Sequence, residues 1–142
     1  AEVGEAARTY DIGTLVRIVY WNRRNDGLLG VTVRGERRFR VLSKETRPNQ
    51  LIVAEVEVLP DERPRPVPRD FARLAELLRD ILEQLDHPYI NLPRKYDDAG
   101  WVSARLTELL PLKLAQKQHL LQTDDPVQRL ERLKGMIDSG LA

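Results

Sequence analysis

The sequence predicts an α+β protein in which an antiparallel β part comes first and a C-terminal α-helical bundle follows. Before about residue 60, apolar residues alternate in short runs, and after residue 68 they recur at helical spacing. Four of the nine prolines lie between residues 60 and 68, where they fix φ and remove backbone donors. We therefore expect a β part over residues 1–60, an extended proline-rich connector over 61–68, and a helical bundle over 69–142.

The β part is expected to contain four strands joined by short turns. Asp26-Gly27 is a strong hairpin signal because both residues tolerate positive φ. Gly35-Glu36 suits a turn that begins with glycine, and Arg47–Gln50 suits a turn with proline at its second position. Four such strands favour a sheet that curls toward a barrel. The expected strands are Gly13–Asn22, Leu28–Arg34, a third around Phe39 and Val41, and Leu51–Leu59.

The helical part is expected to contain four helices. Asp125 can cap the last of them through its carboxylate, and the next residue, Pro126, suits a first helical turn. The expected ranges are Pro68–Leu85, Ala99–Leu110, Leu112–Gln122, and a helix from Asp125 to near Gly140. The apolar spacing predicts a shared core of Leu74, Leu78, Ile81, Leu106, Leu110, Leu121, Leu130 and Leu133.

Composition and motifs exclude several classes of function. The chain has 23 basic and 22 acidic side chains, no cysteine, and two histidines that lie 32 positions apart. Neither a glycine-rich phosphate loop nor a serine-nucleophile motif occurs. We therefore expect no catalytic residue, no metal and no cofactor, and we interpret the chain as a protein that is not an enzyme. No apolar run reaches the length of a membrane span, so we expect a cytoplasmic protein without a membrane partner.

A basic patch on the sheet has two interpretations. It consists of Arg34, Arg37, Arg38 and Arg40. These side chains could contact RNA phosphates while Tyr20 or Trp21 stacks on bases. They could equally form a solvated strand face that pairs with glutamates on neighbouring strands. Residues 1–59 carry ten basic and eight acidic side chains, a surplus of two, which favours the second interpretation.

Two blocks of sequence together resemble the Lon protease N-terminal (substrate-binding) domain family. The first combines Ile12–Ile18, Asp26-Gly27 and Val31–Val41, and the second combines Leu109–Gln122 with Arg129–Leu133. In Lon, ATPase and protease domains follow this domain, whereas this sequence ends with the bundle, so we expect it to resemble the small stand-alone bacterial proteins of that family. The proline-rich opening strand of the family does not precede Ala1–Glu5, so we expect the N-terminal part of the domain to be missing.

The resemblance implies a PUA-like antiparallel β-barrel followed by an α-helical bundle. It also implies a non-catalytic polypeptide-binding module that recognises unfolded or extended protein segments. Its partners would be such polypeptides and a protease or chaperone component. We expect the ligand contacts in or beside a cleft between the sheet and the bundle, at the aromatic residues Tyr20, Trp21, Tyr89, Tyr96 and Trp101. The alternative is an RNA-binding PUA-like module that uses the arginine-rich sheet face.

Overall fold

The computed structural model describes residues 7–141 and divides between Asp61 and Glu62 into two compact units. Within the described residues, the first unit is a three-stranded antiparallel sheet in the order β1-β2-β3. The strands are β1 (Ile12–Arg23), β2 (Leu29–Thr46) and β3 (Ile52–Val58). The expectation about the residues before Glu5 lies outside the described residues.

Two of the expected turns are confirmed. Gly27 has a φ of 82° and donates its N–H to the Arg24 carbonyl at 3.0 Å, which closes the β1–β2 hairpin. Gln50 has a φ of 68° and donates to the Arg47 carbonyl at 2.8 Å, which closes the β2–β3 hairpin. In both cases the chain reverses where a residue enters the left-handed region.

The prediction of a fourth strand and of a turn at Gly35-Glu36 is wrong. β2 runs through both residues, and Gly35 is paired with Val16 and has no positive φ. A register shift between Thr14 and Val16 leaves one extra residue on β2 next to Gly35, which marks a β-bulge. β2 continues beyond this bulge and pairs with β3 from Phe39 to Thr46. The described strands therefore form an open three-stranded sheet and not a closed barrel.

The second unit contains a short 3₁₀ turn (Arg69–Phe71) and four helices. They are α1 (Ala72–Glu83), α2 (Ala99–Leu109), α3 (Leu114–Gln122) and α4 (Pro126–Asp138). The predicted cap of α4 is present, since the Asp125 carboxylate accepts hydrogen bonds from Val127 N at 2.8 Å and Gln128 N at 3.5 Å. These backbone donors hold the pKa of Asp125 below its ordinary value, because they stabilise the charged carboxylate.

One apolar core holds the four helices together. The predicted core is largely confirmed, but Ile81 is half-buried at its edge, and Leu120 takes the fully buried position expected for Leu121. Leu120 and Leu121 are adjacent on a helix of only nine residues. So short an apolar pattern does not determine which of the two leucines faces the core. The buried members are Leu74, Leu78, Leu82, Ala99, Val102, Leu106, Leu110, Leu112, Leu120, Leu130 and Leu133.

The connector runs extended over the helical unit and is bonded to it. The Ala99 N–H donates to the Arg65 carbonyl at 2.7 Å, and the Val67 N–H donates to the Asp97 carbonyl at 3.2 Å. Glu62 adds a side-chain anchor, because its carboxylate pairs in bidentate fashion with the buried guanidinium of Arg129. Residues 62–67 thus belong structurally to the helices.

Candidate functional site

Six apolar side chains share one face of the hairpin formed by β1 and the first half of β2. The pairings Ile18 with Val33 and Trp21 with Val31 fix this face, because residues directly opposite each other project to the same side. Their exposed fractions lie between 45% and 67%, and no other strand of the described sheet covers this face. We call this surface the apolar ribbon face, and it consists of Val16, Ile18, Trp21, Leu29, Val31 and Val33.

The opposite side of the same hairpin is polar and basic. Arg17 lies directly opposite Arg34, and Tyr20 lies opposite Thr32. The Arg17 guanidinium pairs with the Glu36 carboxylate, with Nε to Oε1 at 3.0 Å. Like charges opposed across two strands repel each other, and in the described part of the chain Arg34 makes no ion pair. This side therefore favours an additional negative charge.

Within residues 7–141, the outer edge of β1 is not paired with another strand. β1 is an edge strand of the three-stranded sheet, and β2 pairs with its inner edge. Among residues 7–141, no backbone group outside the hairpin bonds to β1 between Thr14 and Arg23. An open strand edge beside an exposed apolar face is a template for pairing with another extended chain.

The five aromatic residues expected to contact a ligand lie in both units. Tyr20 and Trp21 are strongly exposed, at 62% and 67%, and they project from opposite faces of β1. Tyr89, Tyr96 and Trp101 are half-buried and pack against the helical core. Only Trp21 belongs to the apolar ribbon face. Ligand contact by all five residues stays a prediction.

The three aromatic residues of the helical unit have partners of their own. Tyr96 and Trp101 meet edge to face with ring centroids 5.4 Å apart, and the Arg79 guanidinium lies 4.2 Å from the centroid of the Tyr96 ring. The Tyr89 hydroxyl donates to the Glu108 carboxylate at 2.9 Å. Burial, followed by this hydrogen bond, raises the pKa of Tyr89 above its ordinary value. These contacts show that the three aromatic side chains pack within the helical unit.

The four arginines of the predicted basic patch do not act as one surface. Arg37 donates through Nε to the Leu59 carbonyl at 3.2 Å and pairs with Asp61 at 3.4 Å. Arg40 lies between Ile12 on β1 and Glu57 on β3. Arg34 lies beyond the β-bulge, opposite Arg17, and Arg38 lies opposite Thr14. One cross-strand glutamate, Glu57, thus lies opposite a residue of this patch, as the solvated interpretation expects.

A buried polar network surrounds Arg129, and no pattern in the sequence predicted it. This side chain is 5% exposed, and its Nε donates to the Ser103 hydroxyl at 3.0 Å while Nη1 donates to the Thr123 carbonyl at 3.1 Å. Its carboxylate partner, Glu62, lies 67 positions earlier in the chain, so no local pattern links them. The Arg129 guanidinium thus finds its hydrogen-bond partners within the protein, and the network has a structural role.

The described residues contain no group of three His, Asp or Glu side chains placed to hold a metal ion. In the same part of the chain, no helix has both the length and the apolar character that crossing a membrane requires.

Two solved structures are similar to this chain over 89% of its length. The crystal structure of a Lon N-terminal domain protein from Xanthomonas campestris is 38% identical, with a TM-score of 0.72 over 89% of this chain and 68% of that chain. The N-terminal domain of Mycobacterium avium complex Lon protease is 24% identical and supports the fold alone, with a TM-score of 0.57. It covers 89% of this chain and 69% of that chain. The chain therefore has the fold of Lon N-terminal domains.

Residues 1–139 match the family model of the ATP-dependent protease La (LON) substrate-binding domain, and the chain belongs to this family. It is 27% identical to the Lon protease of Desulfovibrio desulfuricans over 85% of this chain, and 27% identical to that of Vibrio parahaemolyticus over 92%. The chain spans only 14% and 17% of the length of these two relatives. The matching part is the substrate-binding domain and not the protease catalytic domain, and the match gives no support to the RNA-binding alternative.

Proposed function

We propose that this chain is a non-catalytic module that binds unfolded or extended segments of protein substrates through the apolar ribbon face. The observation that carries the proposal is the exposure of six apolar side chains on one side of the β1–β2 hairpin. Contiguous exposed apolar surface of this kind marks interaction sites, because leaving it in water costs free energy that binding recovers. Membership of a substrate-binding domain family supports the same assignment.

Unfolded protein segments fit this surface better than folded proteins do. A non-native chain exposes apolar side chains that a folded protein buries, and an extended segment can follow the direction of the strands. Ordering such a segment costs conformational entropy, so we expect dissociation constants on the order of micromolar. A protease or chaperone component that receives the captured segment is the further partner that we propose.

Titration with fluorescently labelled, unfolded casein tests the proposal. Ile18 on the apolar ribbon face and Leu42 outside it are equally exposed, at 60% and 58%, so Ile18→Thr and Leu42→Thr are matched variants with little effect on the core. Threonine keeps the strand preference of the position. We expect Ile18→Thr to weaken casein binding by about 3- to 10-fold, because roughly 1 kcal/mol of apolar contact is lost. Leu42→Thr should bind as the wild type does.

Two outcomes would overturn the proposed function. The first is equal loss of casein binding in both variants, which would place the contact away from the apolar ribbon face. The second is tight binding of a structured RNA with a steep salt dependence and no binding of casein, since counterion release produces that dependence.

A further inference from the structure

We propose that residues 62–67 form a strap that detaches from the helical unit as one piece while the four helices stay folded. Release of the strap would add six residues to the linker between the two units, which is up to about 20 Å of extended chain. This release is independent of what the sheet unit binds. Two features of the strap support the proposal: its attachments are polar, and it buries little apolar surface.

Arg65 joins the strap to the beginnings of two helices. Its N–H donates to the Asp98 carboxylate at 3.1 Å, and its carbonyl accepts from the Ala99 N–H at 2.7 Å. Its guanidinium pairs with the Asp125 carboxylate at 2.8 Å. Asp98 and Asp125 are the N-caps of α2 and α4. Because one residue between two prolines of fixed φ makes these bonds, we expect them to break and form together.

Glu62 fastens the N-terminal end of the strap. Its carboxylate pairs in bidentate fashion with the Arg129 guanidinium, whose side chain is 5% exposed. The same carboxylate lies against the first turn of α2, since a Cβ at Gly100 would be 2.8 Å from Oε2 of Glu62. Bidentate hydrogen bonds between charged groups are stronger than neutral ones. We therefore expect Glu62 to contribute most to the free energy of strap release.

The strap buries little apolar surface compared with the helices. Residues 63–66 are exposed and Val67 is half-buried, whereas Leu106 of α2 and Leu133 of α4 are fully buried. A segment with few buried apolar contacts opens locally at a lower free-energy cost than unfolding of the whole unit. The prolines of the strap also restrict the released chain, so little conformational entropy has to be lost when it refastens. We therefore expect the strap to open and close without unfolding of the helices.

Native-state hydrogen exchange, followed by NMR on the unmodified chain, tests the proposal. The N–H groups of Arg65, Val67 and Ala99 report on the strap, because each is bonded across the contact between the strap and the helices. Those of Leu106 and Leu133 report on α2 and α4. We expect the three strap reporters to share one protection factor, at least about 10-fold lower than that of the helix reporters. Low concentrations of urea should speed up the helix reporters far more, because global unfolding exposes more surface than strap release does.

A pair of variants tests the role of Glu62. Glu62→Gln should raise the exchange rates of all three strap reporters by at least about 10-fold, because the neutral amide leaves the buried Arg129 charge without its partner. The control Glu45→Gln alters the exposed ion pair with Arg47 in the sheet unit and should leave these rates within about 2-fold. The comparison of strap and helix reporters in the wild type decides the proposal even if Glu62→Gln does not fold.

Two results would overturn the proposal. The first is equal protection and equal urea dependence of the strap and helix reporters, which would mean that the strap is released only when the helices unfold. The second is a different protection factor for each strap reporter with unequal responses to Glu62→Gln, which would mean that the segment frays residue by residue.

Discussion

Replacing Glu62 by glutamine should destabilise the helical unit although Glu62 directly follows the sheet unit in the chain. Glu62→Gln keeps the shape of the side chain but leaves the Arg129 guanidinium, 5% exposed, without its carboxylate partner. Two hydrogen bonds from Arg129 remain, to the Ser103 hydroxyl and the Thr123 carbonyl, but neither acceptor carries a charge.

The magnitude follows from burial. Removing one partner of a fully buried ion pair costs about 3–5 kcal/mol, because the other charge stays in a medium of low dielectric constant. The Glu62 side chain is 27% exposed, so water reaches part of the site and we expect the lower value of about 2–3 kcal/mol. The pair formed by Glu45 and Arg47 offers a control, because its side chains are 70% and 55% exposed. Glu45→Gln should change stability by less than about 0.5 kcal/mol.

The assay is urea unfolding followed by far-ultraviolet circular dichroism, a signal to which the four helices contribute most. Arg129→Met and the double variant complete a double-mutant cycle, which isolates the coupling between the two side chains. A loss below about 0.5 kcal/mol for Glu62→Gln, or no coupling in the cycle, would refute the reasoning. In that case the connector would not be anchored through this pair.

Three further predictions concern local structure. Leu130→Ala should cost about 2–5 kcal/mol in the same urea assay, because it opens a cavity in the helical core, and a loss of under about 0.5 kcal/mol would mean that the core is elsewhere. Gly13→Ala should lower the melting temperature of the sheet unit, because a Cβ at Gly13 would lie 2.5 Å from Cζ of the Phe39 ring; an unchanged melting curve would contradict that packing. Asp125→Asn should be less stable than the wild type at pH 7. The pKa of Asp125 is lowered in the folded state, so its charge contributes stability that is present above its unfolded pKa and lost as the pH falls through its folded pKa. Thermal melts of the two proteins should therefore converge in acid, once the pH lies below the folded pKa of Asp125, and a difference that persists there would contradict the role of Asp125 as a cap.

Local signals in the sequence predicted local structure well. Asp26-Gly27 acts through backbone geometry and Asp125 through the carboxylate that caps the neighbouring helix, and the structure has the hairpin and the helix cap at those positions. Gly35 misled the prediction, because glycine fits a tight turn and also fits a strand next to a bulge. Which of these occurs depends on pairing with Val16 on another strand.

The candidate site was only partly predictable. Alternation in residues 28–34 placed Leu29, Val31 and Val33 on one face, and the structure confirms this through the pairing with β1. The periodicity of apolar residues indicates which side chains share a face. It does not indicate whether another part of the protein covers that face. The pairing of Glu62 with Arg129 was unpredictable for a related reason, since it depends on how distant segments pack.

Methyl and indole NMR shifts, recorded while unlabelled unfolded casein is added, test the central claim most directly. We predict that the shifts of Val16, Ile18, Val31 and the Trp21 indole change first and in proportion to the bound fraction. The methyl groups of the buried helical core, such as those of Leu106 and Leu130, should stay unchanged. Shift changes confined to the helical unit around Tyr89 and Trp101, with the apolar ribbon face unaffected, would contradict the account.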